Sequence, residues 1–174
     1  MRRQVLIIPV TLAVIVAASG CGTGTTSTAA SHTPPPTTTT TSRPGTPAAL
    51  EEAVRSAVSE NHALLTQALL TNSVPVKPEG TAGPALAAVR SSAAQRKAQG
   101  VGVRILSETF RVLAVKLDPT YTTATATILN TQRVQPTYGH RAGAPSTSRE
   151  HVRLELHRIT GTDRFVVWNV TVLR

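Results

Sequence analysis

Two neighbouring segments near the C-terminus decide the fold: Glu150–Ile159, EHVRLELHRI, and Arg164–Leu173, RFVVWNVTVL. The first alternates apolar side chains with charged residues or histidine, a period-two pattern typical of a strand with one buried face. Its apolar members are Val152, Leu154 and Leu156. The intervening Gly161-Thr162-Asp163 is typical of a turn. The two segments are therefore predicted to form an antiparallel hairpin.

The second segment of this hairpin is apolar on both faces. In a strand, every second side chain lies on the same face. One face therefore carries four side chains that we expect to point inward: Val166, Trp168, Val170 and Val172. Phe165 and Val167 then fall on the other face. We therefore expect the last strand to be covered on both sides.

Upstream of the hairpin, the pattern predicts two more strands and two helices. The strands cover residues 101–117, interrupted near residues 107–109, and residues 122–133, and residues 136–148 read as a Gly/Pro loop. Helical spacing of apolar residues runs from the capping Thr46 to about Asn72, and again from Pro84 to Gly100. Helices segregated from strands predict an α+β fold, with two N-terminal helices packed on a strongly curved, mainly antiparallel four-stranded sheet.

The N-terminal 47 residues differ in composition from this domain. Arg2 and Arg3 precede an apolar run at residues 5–18, which at about 14 residues suits a signal peptide better than a membrane-spanning helix. Ala18-Ser19-Gly20-Cys21 resembles a bacterial lipobox, and the resemblance implies lipidation of Cys21. We predict a signal peptide at 1–20, a lipidated Cys with a disordered Thr/Pro-rich tether at 21–47, and one folded domain at 48–174.

Composition excludes several classes of chemistry. Cys21 is the only cysteine, so an internal disulfide, a Cys-based zinc site and a dithiol redox pair are excluded. From Cys21 onward there are 16 Lys and Arg against 9 Asp and Glu, which favours an anionic lipid or wall polymer as partner. One Trp, two Phe and two Tyr offer little stacking surface, and we predict no nucleic acid partner. No cofactor is predicted.

The folded part resembles the nuclear transport factor 2-like (SnoaL-like) cone fold, and more narrowly the exported domains of actinobacterial lipoproteins and Mce-associated proteins. The resemblance depends on the long first helix, on Gly83–Arg90 (GPALAAVR), on the Gly100-Val101 entry into the sheet, and on Arg164–Val170 (RFVVWNV). It covers residues 48–174 and implies a pocket between sheet and helices. Enzymatic members place an acid/base residue there. No residue of this sequence matches one, so we predict that the chain is not an enzyme.

Candidate contact residues remain without a catalytic signature. His151 and His157 flank Glu155, but six strand residues span about 20 Å, too far to share one metal ion at about 2.1 Å each, so no metal site is predicted. Candidates for ligand or partner contact are His62, Tyr138, His140, Arg149, Arg153, Arg158 and Trp168.

The function predicted from the sequence is a non-enzymatic interaction or ligand-holding module on the extracytoplasmic face of the cell membrane. It is held at the outer leaflet of the cytoplasmic membrane through the lipid on Cys21. The unknown partner is an envelope protein, a lipid or a wall polymer, and a homodimer stays open. Two alternatives also stay open: a basic module that binds anionic lipid or wall polymer, and a SnoaL-like isomerase or hydrolase.

Overall fold

The computed structural model describes residues 45–173. The predicted signal peptide, Cys21 and nearly all of the tether lie outside the described residues. Two helices precede a sheet of five strands. The elements are α1 (Pro47–Thr71), α2 (Gly83–Ala98), β1 (Val101–Leu117), β2 (Thr123–Tyr138), β3 (Arg141–Ala142), β4 (Ser146–Arg158) and β5 (Phe165–Leu173). Within residues 45–173, no helix has the length and apolar character needed to span a membrane.

Helix α1 begins and ends where its local signals predict. The Thr46 hydroxyl accepts a hydrogen bond from the Ala49 amide at 3.3 Å, and Pro47 occupies the first turn, where its missing N–H costs nothing. Asn72 ends the helix in the left-handed conformation, with φ of 52°. Helical spacing predicts an apolar stripe through Leu50, Val54 and Val58, and all three are buried.

Helix α2 is shorter, and the burial of one of its residues differs from the prediction. The helical spacing of Leu86, Val89 and Ala93 predicts an apolar stripe, with Arg90, Arg96 and Lys97 on the other, solvent side. Arg90 and Lys97 are exposed, whereas only 7% of Arg96 is exposed. Arg96 is buried because its guanidinium satisfies groups at the C-terminal end of α1, which hydrophobic periodicity does not detect.

The sheet is antiparallel in the order β1-β2-β4-β5, and β3 pairs only with β2. The predicted four-stranded sheet therefore has a fifth, two-residue strand inside the expected 136–148 loop. Because β1 starts at Val101, it provides a partner for β2 as far as Tyr138. The extended β2 then turns at Gly139, and Arg141–Ala142 pairs back on its end.

Three register shifts change the face toward which side chains of β1 and β5 point. Two lie in β1, between Ile105 and Ser107 and between Val112 and Ala114. The third lies in β5, where Leu156 pairs with Val167 and Glu155 with Asn169, so that Trp168 is the extra residue. This bulge makes the predicted inward face of β5 wrong for its first half. Phe165 and Val167 are buried, and Trp168 points outward with 38% of its surface exposed.

Helix α1 packs against the inner face of the sheet and closes the core. Its buried side chains meet those of β2, β4 and β5, among them Ala126, Ile128, Leu154 and Phe165. The segment before α2 protects the outer edge of β5, because the Val167 amide donates to the Gly80 carbonyl at 2.8 Å and the Ala82 amide donates to the Val167 carbonyl at 2.9 Å. The edge of β1 has no strand partner among residues 45–173.

Candidate functional site

The inner face of the sheet changes from apolar to polar along β2. Every second residue of this strand is buried: Ala124, Ala126, Ile128, Asn130 and Gln132. Asn130 and Gln132 are each only 2% exposed. A polar floor therefore lies beyond the apolar core, toward the end of β2 that faces the C-terminus of α1.

The neighbouring strands extend this floor with two carboxyl groups. Glu108 of β1 lies opposite Gln132, whose Nε2 donates to the Glu108 Oε1 at 3.3 Å. Glu150 of β4 lies opposite Asn130. From the helix side, the His62 ring packs on Phe110, with ring centroids 4.3 Å apart. We call His62, Glu108, Asn130, Gln132 and Glu150 the buried polar patch; Asn130 and Gln132 are fully buried, and the other three residues are half-buried.

Among residues 45–173, four atoms of the buried polar patch find no hydrogen-bond partner: His62 Nε2, Glu108 Oε2, Asn130 Oδ1 and Glu150 Oε2. Burial lowers the pKa of His62 to about 4, so the imidazole is neutral at neutral pH. Burial also raises the pKa of Glu108 to about 7, against the opposing hydrogen bond from Gln132, and raises the pKa of Glu150. The patch therefore contains a carboxyl group that exchanges its proton near neutral pH.

A cavity of about 480 Å³ adjoins the buried polar patch and shares Gln132 with it. It lies between the C-terminal ends of both helices, the start of β1, the end of β2 and the start of β4. Its apolar wall is formed by Leu69, Val101, Val103, Val134 and Pro136, and its polar groups come from Arg96, Gln99, Gln132, Tyr138, Ser146 and Ser148. This volume is in the range of small-molecule sites, about 300–1,000 Å³.

Arg96 is the buried cation of this region. Its Nε donates to the Asn72 Oδ1 at 2.9 Å, its Nη1 to the Ser92 Oγ at 2.7 Å, and its Nη2 to the Ala68 carbonyl at 2.8 Å. All three acceptors are uncharged, and burial lowers the pKa of the guanidinium. The negative end of the α1 dipole offsets part of the charge. A guanidinium has five N–H donors, so two remain beside these three bonds.

A second, smaller cavity of about 150 Å³ lies between α1, α2 and β5. Arg96 lines this cavity as well as the larger one. Asn61 also lines it, and the Asn61 Nδ2 donates to the Thr81 hydroxyl at 2.7 Å. That bond ties α1 to the segment before α2, so we assign Asn61 a structural role.

The structure separates the residues proposed from the sequence as contact sites. His62 lies inside, in the buried polar patch, and Tyr138 lies at the rim of the large cavity with 54% of its surface exposed. His140 is exposed in the turn between β2 and β3, outside the cavity lining. Of these three predicted contact residues, His62 and Tyr138 therefore lie in or near the cavity region, and His140 lies apart from them.

The three predicted arginines have different surroundings. Arg149 and Arg153 are exposed on the outer face of β4. Arg158 instead forms an ion pair with Asp163 and donates from Nε to the Thr162 carbonyl at 2.7 Å, which holds the β4–β5 turn. The Arg158 side chain is therefore held by contacts within the β4–β5 turn.

Trp168 lies on the outer side of the sheet. Its ring stacks on His157, with centroids 4.9 Å apart and planes inclined by 6°. A Cβ on Gly83 would lie 2.7 Å from this indole, so the start of α2 covers its other side. Trp168 therefore fastens α2 to the sheet, and it does not line either cavity near Arg96.

Sequence reasoning missed Arg96, Glu108, Asn130, Gln132 and Glu150. A signal for two of them was present, because Asn130 and Gln132 continue the period-two series of Ala126 and Ile128. Polar residues in phase with a buried series indicate a polar interior. Among residues 45–173, no three His, Cys, Asp or Glu side chains cluster closely enough to hold a metal ion.

Comparisons with known proteins address the fold alone. No protein-family model matches the chain, and no curated protein sequence matches it. Among solved structures, the chain is similar to the crystal structure of the intermembrane space region of the chloroplast protein ARC6, with 15% sequence identity and a TM-score of 0.54. The match covers 71% of this chain and 95% of the other. This likeness shows a shared arrangement of helices and curved sheet, and the nuclear transport factor 2-like resemblance stays a prediction.

Proposed function

We propose that this chain is an exported lipoprotein, anchored through Cys21, whose folded domain is a non-enzymatic module that holds a ligand at the extracytoplasmic face of the cell membrane. The observation that carries the proposal is the 480 Å³ cavity, which has an apolar wall and one buried cation at its edge. The lipobox-like ending and the Thr/Pro-rich segment support the anchored location.

The groups that line the cavity favour binding over chemistry. Amide, hydroxyl and guanidinium groups orient a ligand by hydrogen bonds, whereas they exchange protons poorly near neutral pH. The carboxyl group that titrates near pH 7 lies behind Gln132 rather than in the cavity lining. A ligand in the cavity would thus meet the Gln132 amide before it met the Glu108 carboxyl.

Native mass spectrometry of the chain from residue 21 onward, purified from its own host, tests this proposal. We expect a bound small molecule that is lost in Val103→Trp, because the larger ring fills the cavity. The matched control is Thr109→Trp, which adds the same ring to an exposed position outside the cavity lining. An unliganded wild-type chain, or equal retention in both variants, would contradict the proposal.

One observation favours a second candidate, the SnoaL-like isomerase or hydrolase. The buried polar patch combines a neutral imidazole with a carboxyl group whose pKa is about 7, as a general acid/base site requires. Enzyme function predicts turnover of an isomerase or hydrolase substrate that rises or falls with an apparent pKa near 7. Glu108→Gln would abolish that turnover and leave the thermal unfolding transition in place, and turnover unaffected by this change would exclude Glu108 as the acid/base group.

A further inference from the structure

The outer face of the sheet presents a compact group of arginine and leucine side chains. Arg111 of β1, Leu129 of β2 and His151 of β4 lie directly opposite one another across the strands. Arg149 and Arg153 flank His151 two residues away on either side. With neighbouring strands about 4.8 Å apart and a rise of about 3.3 Å per residue, these side chains occupy an area of about 10 by 13 Å.

Two further residues complete this area. Arg133 follows Leu129 by four residues on the same face of β2, and Leu113 lies at the second bulge of β1 with 49% of its surface exposed. We call the set the outer patch: Arg111, Leu113, Leu129, Arg133, Arg149, His151 and Arg153. Its four arginines are exposed, and none takes part in an ion pair within the described part of the chain.

The charge on this face is strongly one-sided. All nine acidic residues of the chain lie within residues 45–173. Only Glu155 belongs to the outer face of the sheet, and His157 contacts it at 3.3 Å. The other acids lie on α1, in loops or turns, or on the inner face. The arginines of the outer patch are therefore left without neutralising partners within the domain.

Protection of an edge strand explains part of this arrangement. Bulges and cations on an edge prevent it from pairing with another sheet. They do not explain why the bulge at residues 112–114 exposes a leucine, nor why Arg149 and Arg153 lie on β4, two strands from that edge. Arginine beside exposed leucine is the combination found on surfaces that meet a lipid bilayer, since the charge attracts headgroups and the apolar chain enters the interface.

We propose that the outer patch docks on the surface of an anionic phospholipid bilayer. A second copy of this chain is disfavoured, because two outer patches would bring eight arginines together. A polyanionic wall polymer would use the arginines and gain nothing from Leu113. The proposal specifies the partner of the basic module, one of the two alternatives that the sequence left open. It does not depend on the cavity.

The predicted anchor places such a bilayer within reach. Residues 22–46 make a 25-residue connection, which at about 3.3–3.6 Å per residue reaches at most about 90 Å. A domain held this close meets the surface at an effective concentration in the millimolar range, so weak docking suffices.

Vesicle co-sedimentation of the chain from residue 21 onward, carrying Cys21→Ser to remove the lipid, tests the proposal. At low salt we expect binding to vesicles of equal phosphatidylglycerol and phosphatidylcholine, and none to phosphatidylcholine alone. Each cation contributes about fivefold, equal to about 1 kcal/mol, so replacing Arg111, Arg149 and Arg153 with Gln lowers partitioning about 100-fold. The control removes three exposed cations elsewhere, through Arg55→Gln, Lys77→Gln and Lys97→Gln, and changes binding less than fivefold.

Leu113→Thr distinguishes a bilayer from a soluble polyanion. We expect it to weaken vesicle binding several-fold and to leave binding to polyglutamate unchanged, with Ile159→Thr as the exposed apolar control. Equal loss in the two three-cation variants would overturn the outer patch as the docking site. Full vesicle binding by Leu113→Thr, or concentration-dependent dimerisation without vesicle binding, would overturn the bilayer as its partner. Failure of the cavity experiment would leave these results unaffected.

Discussion

At the scale of single residues, the interior holds groups with opposite linkage to pH. Folding keeps Glu108 protonated up to about pH 7, whereas an unfolded glutamate ionises near pH 4.5. Folding also keeps His62 neutral down to about pH 4, whereas an unfolded histidine protonates near pH 6.5. Stability is therefore lost with rising pH through Glu108 and with falling pH through His62.

Between pH 4.5 and 6.5 the effect of His62 opposes that of Glu108 and of Glu150, whose pKa burial also raises, so we expect only a weak pH dependence of the unfolding free energy in the unmodified chain. His62→Leu should expose the Glu108 contribution, and its stability should fall as the pH rises from 4.5 toward 7. Glu108→Gln should show the reverse, a fall as the pH drops from 6.5 toward 4. Urea titrations at half-unit pH steps measure this, with His140→Asn as the exposed control. Parallel profiles in the two variants would refute the assignment.

Arg96 is the other residue whose loss we expect to be costly. Arg96→Met removes the donors to the part-buried Asn72 and Ser92 oxygens and to the buried Ala68 carbonyl, which is left unpaired in the interior. We expect about 3 kcal/mol of lost unfolding free energy. Lys97→Met, next to it and exposed, should change stability by less than about 0.5 kcal/mol. A similar small effect for both would show that the guanidinium does not hold the end of α1.

At the scale of elements, the helices were predicted well because their signals are local. Thr46, Pro47 and the apolar stripe of α1 lie within a few turns of one another, so hydrophobic periodicity and caps suffice. The strands were harder. The face of β5 was predicted wrongly because a single extra residue at Trp168 shifts the alternation, and that bulge depends on pairing with β4. The fifth strand was missed because β3 has only two residues and is defined only by its pairing with the end of β2.

The approach of residues 80–82 to α1 gives a prediction at this scale. Gly80 has φ of +67°, and a Cβ there would lie 2.8 Å from the Asn61 amide nitrogen and 2.9 Å from the Ala57 carbonyl oxygen. Because helix backbone cannot yield easily, Gly80→Ala should cost about 3 kcal/mol or more. Gly161→Ala is the matched control, with φ of +78° and open space around it, and should cost about 1 kcal/mol. Thermal unfolding compares the two, and equal losses would mean that only φ matters.

At the scale of the whole molecule, the cavity and the outer patch occupy opposite sides of the sheet and share no residue. We therefore expect their effects to be independent. Val103→Trp should leave vesicle binding unchanged, and the Gln variant of Arg111, Arg149 and Arg153 should retain any ligand that co-purifies. Combining both sets of changes should give the sum of the single effects in free energy. A coupling above about 1 kcal/mol would show that the two faces communicate through the sheet.

The sequence was enough to predict the fold class, but it was not enough to predict most of the candidate site. An α+β order follows from the sequence of local patterns, whereas the buried polar patch brings residues 62, 108, 130 and 150 together across the sheet. No spacing rule connects those positions. Only Asn130 and Gln132 gave a local signal, and it indicated a polar interior without naming the carboxyl groups beside it.

The length of α1 separates the end of the predicted tether from the cavity. Pro47, where the predicted tether ends, and Leu69, which lines the cavity, are 22 residues apart on one helix, or about 33 Å. The helix would thus act as a rigid spacer between the predicted membrane anchor and the proposed ligand site. Shortening the predicted tether would bring the start of α1 nearer to the predicted lipid and would still leave Leu69, at the cavity, about 33 Å from Pro47.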